Sequence, residues 1–199
     1  MKRLLWYLHF FSTIKVLAFS YSRLPFTDSP PSIRQYACAD YYTKENSLII
    51  FGGNQGSDIN FNDVWEFNLT ANLWNSLTPI STTYPNPRMF HGCWIDDDNS
   101  MLYIFGGRSN SGPLNDLWRY DLVNLQWKQI DQKGDIPSAR SAFAWTKYKD
   151  SDGNLKLVSF AGFLKDEYTN ELYIYDVPSS TWTKKPAGTQ LPPVSYISH

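Results

Sequence analysis

The chain is poor in the residues on which most protein chemistry depends. Its 199 residues include 3 His and 2 Cys, too few for a centre built from several imidazoles and too few for a disulfide framework. His9, His91 and His199 are not spaced as metal-ligand pairs, and Cys38 and Cys93 match no metal motif. Charged residues are only 19% of the chain and nearly cancel, at 18 basic and 19 acidic. No basic field therefore marks it as a nucleic-acid binder. The longest run of like charge, Asp96-Asp97-Asp98, is followed by Asn99-Ser100 between two apolar runs and reads as a turn. There is no strand-turn-helix nucleophile elbow and no phosphate-binding glycine loop before a helix. We expect no catalytic residue, no metal and no cofactor.

The first twenty residues differ from the rest. Met1-Lys2-Arg3 is a positive head, Leu4 to Phe19 is mostly apolar, and Ala18-Phe19-Ser20 places small residues where a signal peptidase reads. This is the pattern of a secretory signal peptide over residues 1–20, with a linker over 21–30. Its removal leaves 15 basic against 19 acidic residues. The expectation is a secreted chain; the alternatives are a membrane anchor by an uncleaved N-terminal segment and a mis-assigned start. His9 and Lys15 interrupt the apolar run and count against the anchor. One glycosylation acceptor sequence, Asn68-Leu69-Thr70, completes the picture of a secreted glycoprotein.

What the chain has in quantity is aromatic residues, 17%, with 8 Trp and 13 Tyr. They recur. An apolar run closes on a small doublet at Gly52-Gly53, Gly106-Gly107 and Ala161-Gly162. After a polar loop come Asn62-Asp63-Val64-Trp65, Asn115-Asp116-Leu117-Trp118 and Asn170-Glu171-Leu172-Tyr173. Phe67, Tyr120 and Tyr175 follow, then Trp74, Trp127 and Trp182. Upstream stand Arg34, Arg88 and Arg140, each preceded by proline (Pro31, Pro85, Pro137). The runs are too short for helices and bounded by Gly, Pro and Asn, so each repeat is a set of antiparallel strands. Strand one is expected over Arg34 to Tyr42, Arg88 to Ile95 and Arg140 to Tyr148.

The Gly-Gly doublet, the spaced aromatic and tryptophan, and the upstream Pro-x-x-Arg resemble the kelch repeat. The period of about 50 residues agrees. The resemblance implies an all-β fold, a kelch-type β-propeller of four-stranded blades, over residues 31–199. Blades would cover approximately 31–80, 85–131 and 137–186, with the start of a fourth at 191–199. Propellers close with about 4–8 blades, so the ring is partial. Three explanations compete: a fragment or truncated product, two chains pairing into one ring by self-association, and an open arc held by a partner.

Because a catalytic residue is needed once and not once per repeat, Arg34, Arg88 and Arg140 are expected to pair with Asp63, Asp116 and Glu171 as structural ion pairs. Gly52, Gly53, Gly106, Gly107, Gly162, Trp74, Trp127 and Trp182 are likewise assigned to the scaffold. Cys38 lies four after Arg34 and Cys93 five after Arg88, so alternation puts them on different faces of their blades, which predicts free buried thiols. Antiparallel order puts the short turns on one face and the long, variable loops on the other. Irregular loops on a repeating scaffold are where binding concentrates. The anchors expected there are Phe61, Tyr84, Arg108, Phe163, Leu164 and Tyr168. The function predicted is non-catalytic binding of a protein partner, with no nucleic acid and no membrane unless the N-terminal segment is retained. The alternatives are a piece of a propeller enzyme resembling galactose oxidase and a secreted carbohydrate-binding propeller.

Overall fold

The structure is a computed structural model and describes residues 30–186. The segment read as a leader, most of the linker, His9, His199 and the start of a fourth repeat lie outside these residues. Three antiparallel four-stranded sheets follow one another along the chain. Blade 1 is β1 (Cys38–Tyr42), β2 (Ser47–Phe51), β3 (Val64–Asn68) and β4 (Leu73–Ser76). Blade 2 begins with β5 (Gly92–Asp96) and β6 (Met101–Phe105), which a small hairpin, β7 (Arg108–Ser109) and β8 (Gly112–Pro113), links to β9 (Leu117–Asp121) and β10 (Gln126–Gln129). In blade 3 a short strand, β11 (Lys133–Gly134), runs parallel to the outermost strand. The blade itself is β12 (Ala144–Lys149), β13 (Leu155–Phe160), β14 (Leu172–Asp176) and β15 (Thr181–Lys185). Among the described residues there is no helix. Over the described residues the fold is all-β, consistent with a propeller that is partial and not closed.

The first strand of each blade begins at Cys38, Gly92 and Ala144, four residues later than the sequence pattern suggested. The cause lies two residues after each arginine. Tyr36, Phe90 and Ala142 have φ of 58°, 56° and 51°, a left-handed turn of the backbone that no strand continues through. The connection Asp131 to Pro137, expected to be a plain loop, contains β11. It clasps the outer edge of the next blade, where Gln132 also accepts a hydrogen bond from the Trp182 indole N–H at 2.7 Å.

Two cores lie between blades rather than within them. Between blades 1 and 2, Tyr42, Ile49, Phe51 and Val64 meet Ile95, Leu102, Ile104, Trp118, Tyr120 and Trp127. Between blades 2 and 3, Trp94, Tyr103, Phe105 and Leu117 meet Phe143, Leu157, Tyr173, Tyr175 and Trp182. Full burial of such side chains is worth about 1.5–3 kcal/mol each, so the repeated aromatics hold blade to blade. His91 is one of these packing residues: it sits three after Arg88, as Phe143 sits three after Arg140, and presents its ring edge-on to Phe51. The face of blade 1 turned away from blade 2 carries Tyr41, Leu48, Ile50, Trp65, Phe67 and Trp74. These match in register the residues with which blade 2 meets blade 1.

The expectation of free thiols is wrong. Cys38 and Cys93 form a disulfide with Cα atoms 6.0 Å apart, and the described residues contain no free cysteine. The alternation argument was sound, but its conclusion was inverted. Cys38 pairs in register with Phe51 and Cys93 with Ile104, one residue off the equivalent Phe105. The side of one blade that meets the next is opposite to the side by which the next meets it. A one-residue offset is therefore what turns two side chains toward each other.

Across the axis, Asp40 of β1 accepts a hydrogen bond from the Ile95 N–H at 2.8 Å and an ion pair from Lys147 of β12 at 2.7 Å. The innermost strands of all three blades are thus tied.

Reduction of the Cys38–Cys93 bond reopens a loop spanning 55 residues, which on the chain-entropy estimate removes about 4 kcal/mol of stability. Denaturant unfolding with and without reductant, on the natural chain and on Cys93→Ser, should show that loss in the natural chain and no reductant effect in the variant.

Candidate functional site on the loop face

Each blade is closed at its loop end by one arginine. Arg88, fully buried, donates from Nε to the Asn86 carbonyl (3.0 Å) and from Nη1 to the Gly106 carbonyl (3.0 Å). The same side chain grips both carboxylate oxygens of Asp116, at 2.6 and 2.8 Å. The Trp118 indole N–H completes the carboxylate at 2.7 Å. Arg34, Asp63 and Trp65 repeat the arrangement, with pair distances of 2.6 and 2.9 Å. In blade 3 the longer Glu171 accepts from Arg140 at 2.9 Å and from the Tyr173 hydroxyl at 3.1 Å on one oxygen, leaving the other to Lys184. The pairing of the repeated arginines and acids expected from the sequence is present in every blade.

The backbone of the same arginine reaches the blade before it. Arg88 N–H donates to the Phe61 carbonyl (3.0 Å) and its own carbonyl accepts from Gly53 (2.9 Å); Arg140 does the same with Leu114 (3.0 Å) and Gly107 (2.8 Å). This close approach explains the first glycine. A Cβ at Gly52 would stand 2.8 Å from the Arg88 carbonyl, and one at Gly106 2.9 Å from that of Arg140. Ala161 keeps the left-handed φ of 64°. Among the described residues no following blade supplies a carbonyl there, so its methyl group meets no such obstacle.

On this frame the three blades present the same backbone with different side chains. The residue after the doublet exchanges two backbone hydrogen bonds with the residue after the arginine: Asn54 with Gln35, Arg108 with Met89, Phe163 with Ser141, all at 2.8–3.0 Å. One residue further, Phe90 N–H donates to the Tyr36 carbonyl (3.1 Å) and Ala142 N–H to the Phe90 carbonyl (2.9 Å). A line of bonds thus steps from blade to blade, and the Tyr36 and Phe90 rings stack above it at 4.0 Å.

The predicted anchors fall in four places. Arg108 and Phe163 lie in this frame, with Tyr168 against Phe163 at 5.0 Å and 54% exposed. Leu164, half-buried, lines an open hollow of about 640 Å³ with Ser138, Glu167 and Tyr168. Tyr84 stands apart, beside a 300 Å³ hollow near the end of β4. Phe61 is turned inward: the Arg34 guanidinium lies 4.3 Å from its ring, and its backbone serves Arg88. Sequence reading missed Gln35, Tyr36, Met89 and Phe90 because they were assigned to strand one. The sequence offers no clear signal for them, because only the proline and the arginine recur there and the neighbours Ala37, His91 and Phe143 vary as freely.

On the opposite, turn face the charges are already engaged. Asp97 accepts from Thr43, Asp98 from Lys149, and Lys156 pairs with Asp150 and Asp176. Of the acidic run, Asp96 ends β5 and Asp97 and Asp98 enter the turn, close to the reading from sequence. Among the described residues no three His, Cys, Asp or Glu side chains converge on a metal position.

Titration follows from these surroundings. Burial pushes the Asp116 and Asp63 carboxyls up, but hydrogen bonds from the paired arginine and tryptophan, with the arginine's charge, hold both below the ordinary range. Glu171 is brought to about 2 despite its burial by Lys184, Arg140 and Tyr173. His91 is drawn down from 6.5 to about 3 by burial, then by the Arg88 charge.

A family model described as the KLHDC2/KLHL20/DRC7 Kelch-repeats domain matches residues 7–199, overlapping the segment read as a leader. A Drosophila melanogaster leucine-zipper-like transcriptional regulator 1 homolog is 29% identical over 173 residues, which is 83% of this chain and 17% of that protein. The human leucine-zipper-like transcriptional regulator 1 is 29% identical over 148 residues, 70% of this chain and 17% of its own length. Acyl-CoA-binding domain-containing protein 5 of Arabidopsis thaliana is 32% identical over 98 residues, 49% of this chain and 15% of its own. The chain thus spans about a sixth of the length of these relatives.

Removing one partner of a buried pair leaves the other charge uncompensated, at a cost of about 3–5 kcal/mol. Arg88→Met should lose that much in denaturant unfolding, and Arg88→Lys nearly as much, since lysine cannot form the planar fork. Exposed Lys149→Met should stay within about 0.5 kcal/mol.

Acid should act in two stages. His91 is neutral in the fold, so stability declines as pH falls below its ordinary 6.5 and until about 3. The depressed carboxylates contribute in full above their ordinary values, and that contribution is lost below about pH 4. Thermal melts from pH 8 to 2 should show both slopes, and His91→Phe should remove only the first.

Proposed function

Since the chain belongs to the kelch-repeat family, we propose that it is a non-catalytic scaffold that presents its loop face to a protein partner. The observation that carries this is the set of three like backbone frames that display unlike side chains. Gln35, Met89 and Ser141 occupy one position; Tyr36, Phe90 and Ala142 the next; Asn54, Arg108 and Phe163 the third. Repetition of the backbone is the scaffold's requirement. Divergence of the side chains at the same sites is free of that requirement and available for recognition. The exposed Tyr36 and Tyr168, the half-buried Arg108 and the Tyr36–Phe90 stack are of the types that dominate interface energetics. The polar ties Asn60–Asn110 and Asn110–Asp58 hold the loops of blades 1 and 2 together, which lowers the ordering cost of binding.

The test is quantitative capture of partners by the full chain and by two variants. Tyr36→Ala with Arg108→Ala and Tyr168→Ala should reduce capture at least thirtyfold, the effect of losing one hot spot of about 2 kcal/mol. The turn-face variant Thr43→Ala with Lys149→Ala should capture as the natural chain does. Equal loss in both, with both folded, would sink the loop-face assignment.

A further inference from the structure

We propose that Asn68 is an N-glycosylation site, filled as the chain folds in an oxidising secretory compartment. Asn68-Leu69-Thr70 has the acceptor pattern. Asn68 ends β3 and opens the turn into β4, at whose tip Leu69 is 40% exposed. Its Oδ1 accepts the N–H groups of Thr70 and Ala71 at 3.0 and 2.8 Å. Nδ2, the atom that would carry the glycan, makes only an outlying 3.3 Å contact with the Glu45 carbonyl at an exposed position.

The other blades show what this turn requires. In blade 2 the Asp121 carboxylate accepts from Val123 and Asn124 at 2.9 and 2.8 Å. In blade 3 the Asp176 carboxylate accepts from Ser179 at 3.1 Å. An acceptor oxygen suffices, and aspartate supplies it twice. The amide of blade 1 adds an NH2 group that the turn does not use, and it does so where a threonine stands two residues on. At that place the other blades have Val123 and Pro178.

The inter-blade disulfide is the second, independent observation. Cys38 is 4% exposed and Cys93 fully buried, so the bond is closed as the blades pack. Such bonds form and persist in oxidising compartments and are rare where thiols are kept reduced. An N-glycan acceptor is used in the same secretory route. The glycan would stand on the turn face, opposite the loops, so the proposal is independent of which partner the loop face takes.

In the transfer, the Asn68 amide nitrogen bonds to the anomeric carbon of an oligosaccharide as that carbon's bond to a lipid pyrophosphate breaks. The amide gives up one proton, and the pyrophosphate leaves with the electron pair. The donor is a lipid-pyrophosphate-linked oligosaccharide, and the host's transferase supplies the catalysis.

The experiment is expression of the full chain, with its own N-terminus, in eukaryotic secretory cells. Mass analysis before and after enzymatic removal of N-glycans should show a single-step loss. The loss should vanish in Asn68→Asp and in Thr70→Ala. Asn68→Asp keeps the turn's acceptor oxygen, so its unfolding midpoint should equal that of the deglycosylated natural chain. A natural chain of bare polypeptide mass, or a loss that persists in Asn68→Asp, overturns the site. Recovery from the cytosol with both cysteines as thiols overturns the compartment, and the proposal with it.

Discussion

The arginine that opens each blade does two jobs with one residue. Its side chain satisfies the carbonyl of the doublet and the acid that follows the loop, which closes its own blade. In Arg88 and Arg140 the backbone N–H and C=O also take partners on the blade before, which fixes the distance between neighbours. A buried guanidinium is tolerable only when its donors are met and its charge is paired. The glycine beneath the next arginine, the acid and the indole beside it all follow from that demand. The aromatic cores then fill a gap whose width is already set.

This explains which parts of the molecule could be read from the sequence. The arginine, the acid and the doublet recur because every blade repeats the same electrostatic problem, and near-continuous apolar runs such as Met101–Phe105 fit a blade packed on both faces, as blade 2 is. The surroundings of Phe61 were not legible in the same way, since no spacing in the sequence places the Arg34 guanidinium against its ring. The late start of each first strand depends on a single left-handed residue, and Tyr36 and Phe90 are not residues that announce one. The parallel strand β11 has no periodicity, being two residues set by its neighbour.

The rim of the loop face combines a fixed backbone with unfixed chemistry. Hydrogen bonds between successive blades run through Tyr36, Phe90 and Ala142, so side chains there can change without altering the frame. The turn face is different in kind. Its charges are largely spent on one another, the exposed Lys149 on Asp98 and the half-buried Lys156 on Asp150 and Asp176, and an exposed pair such as Lys149–Asp98 adds little to stability.

The cysteine offset has a consequence for reading any stack of like sheets. Moving one residue along a strand exchanges its faces, and crossing from one sheet to the next exchanges them again. Covalent bridges between neighbours therefore obey a parity rule. Cysteines at identical repeat positions stay apart, whereas an odd displacement, such as that between Cys38 and Cys93, makes them partners. The spacing that looks like a slip in the repeat is thereby a record of which two blades are adjacent.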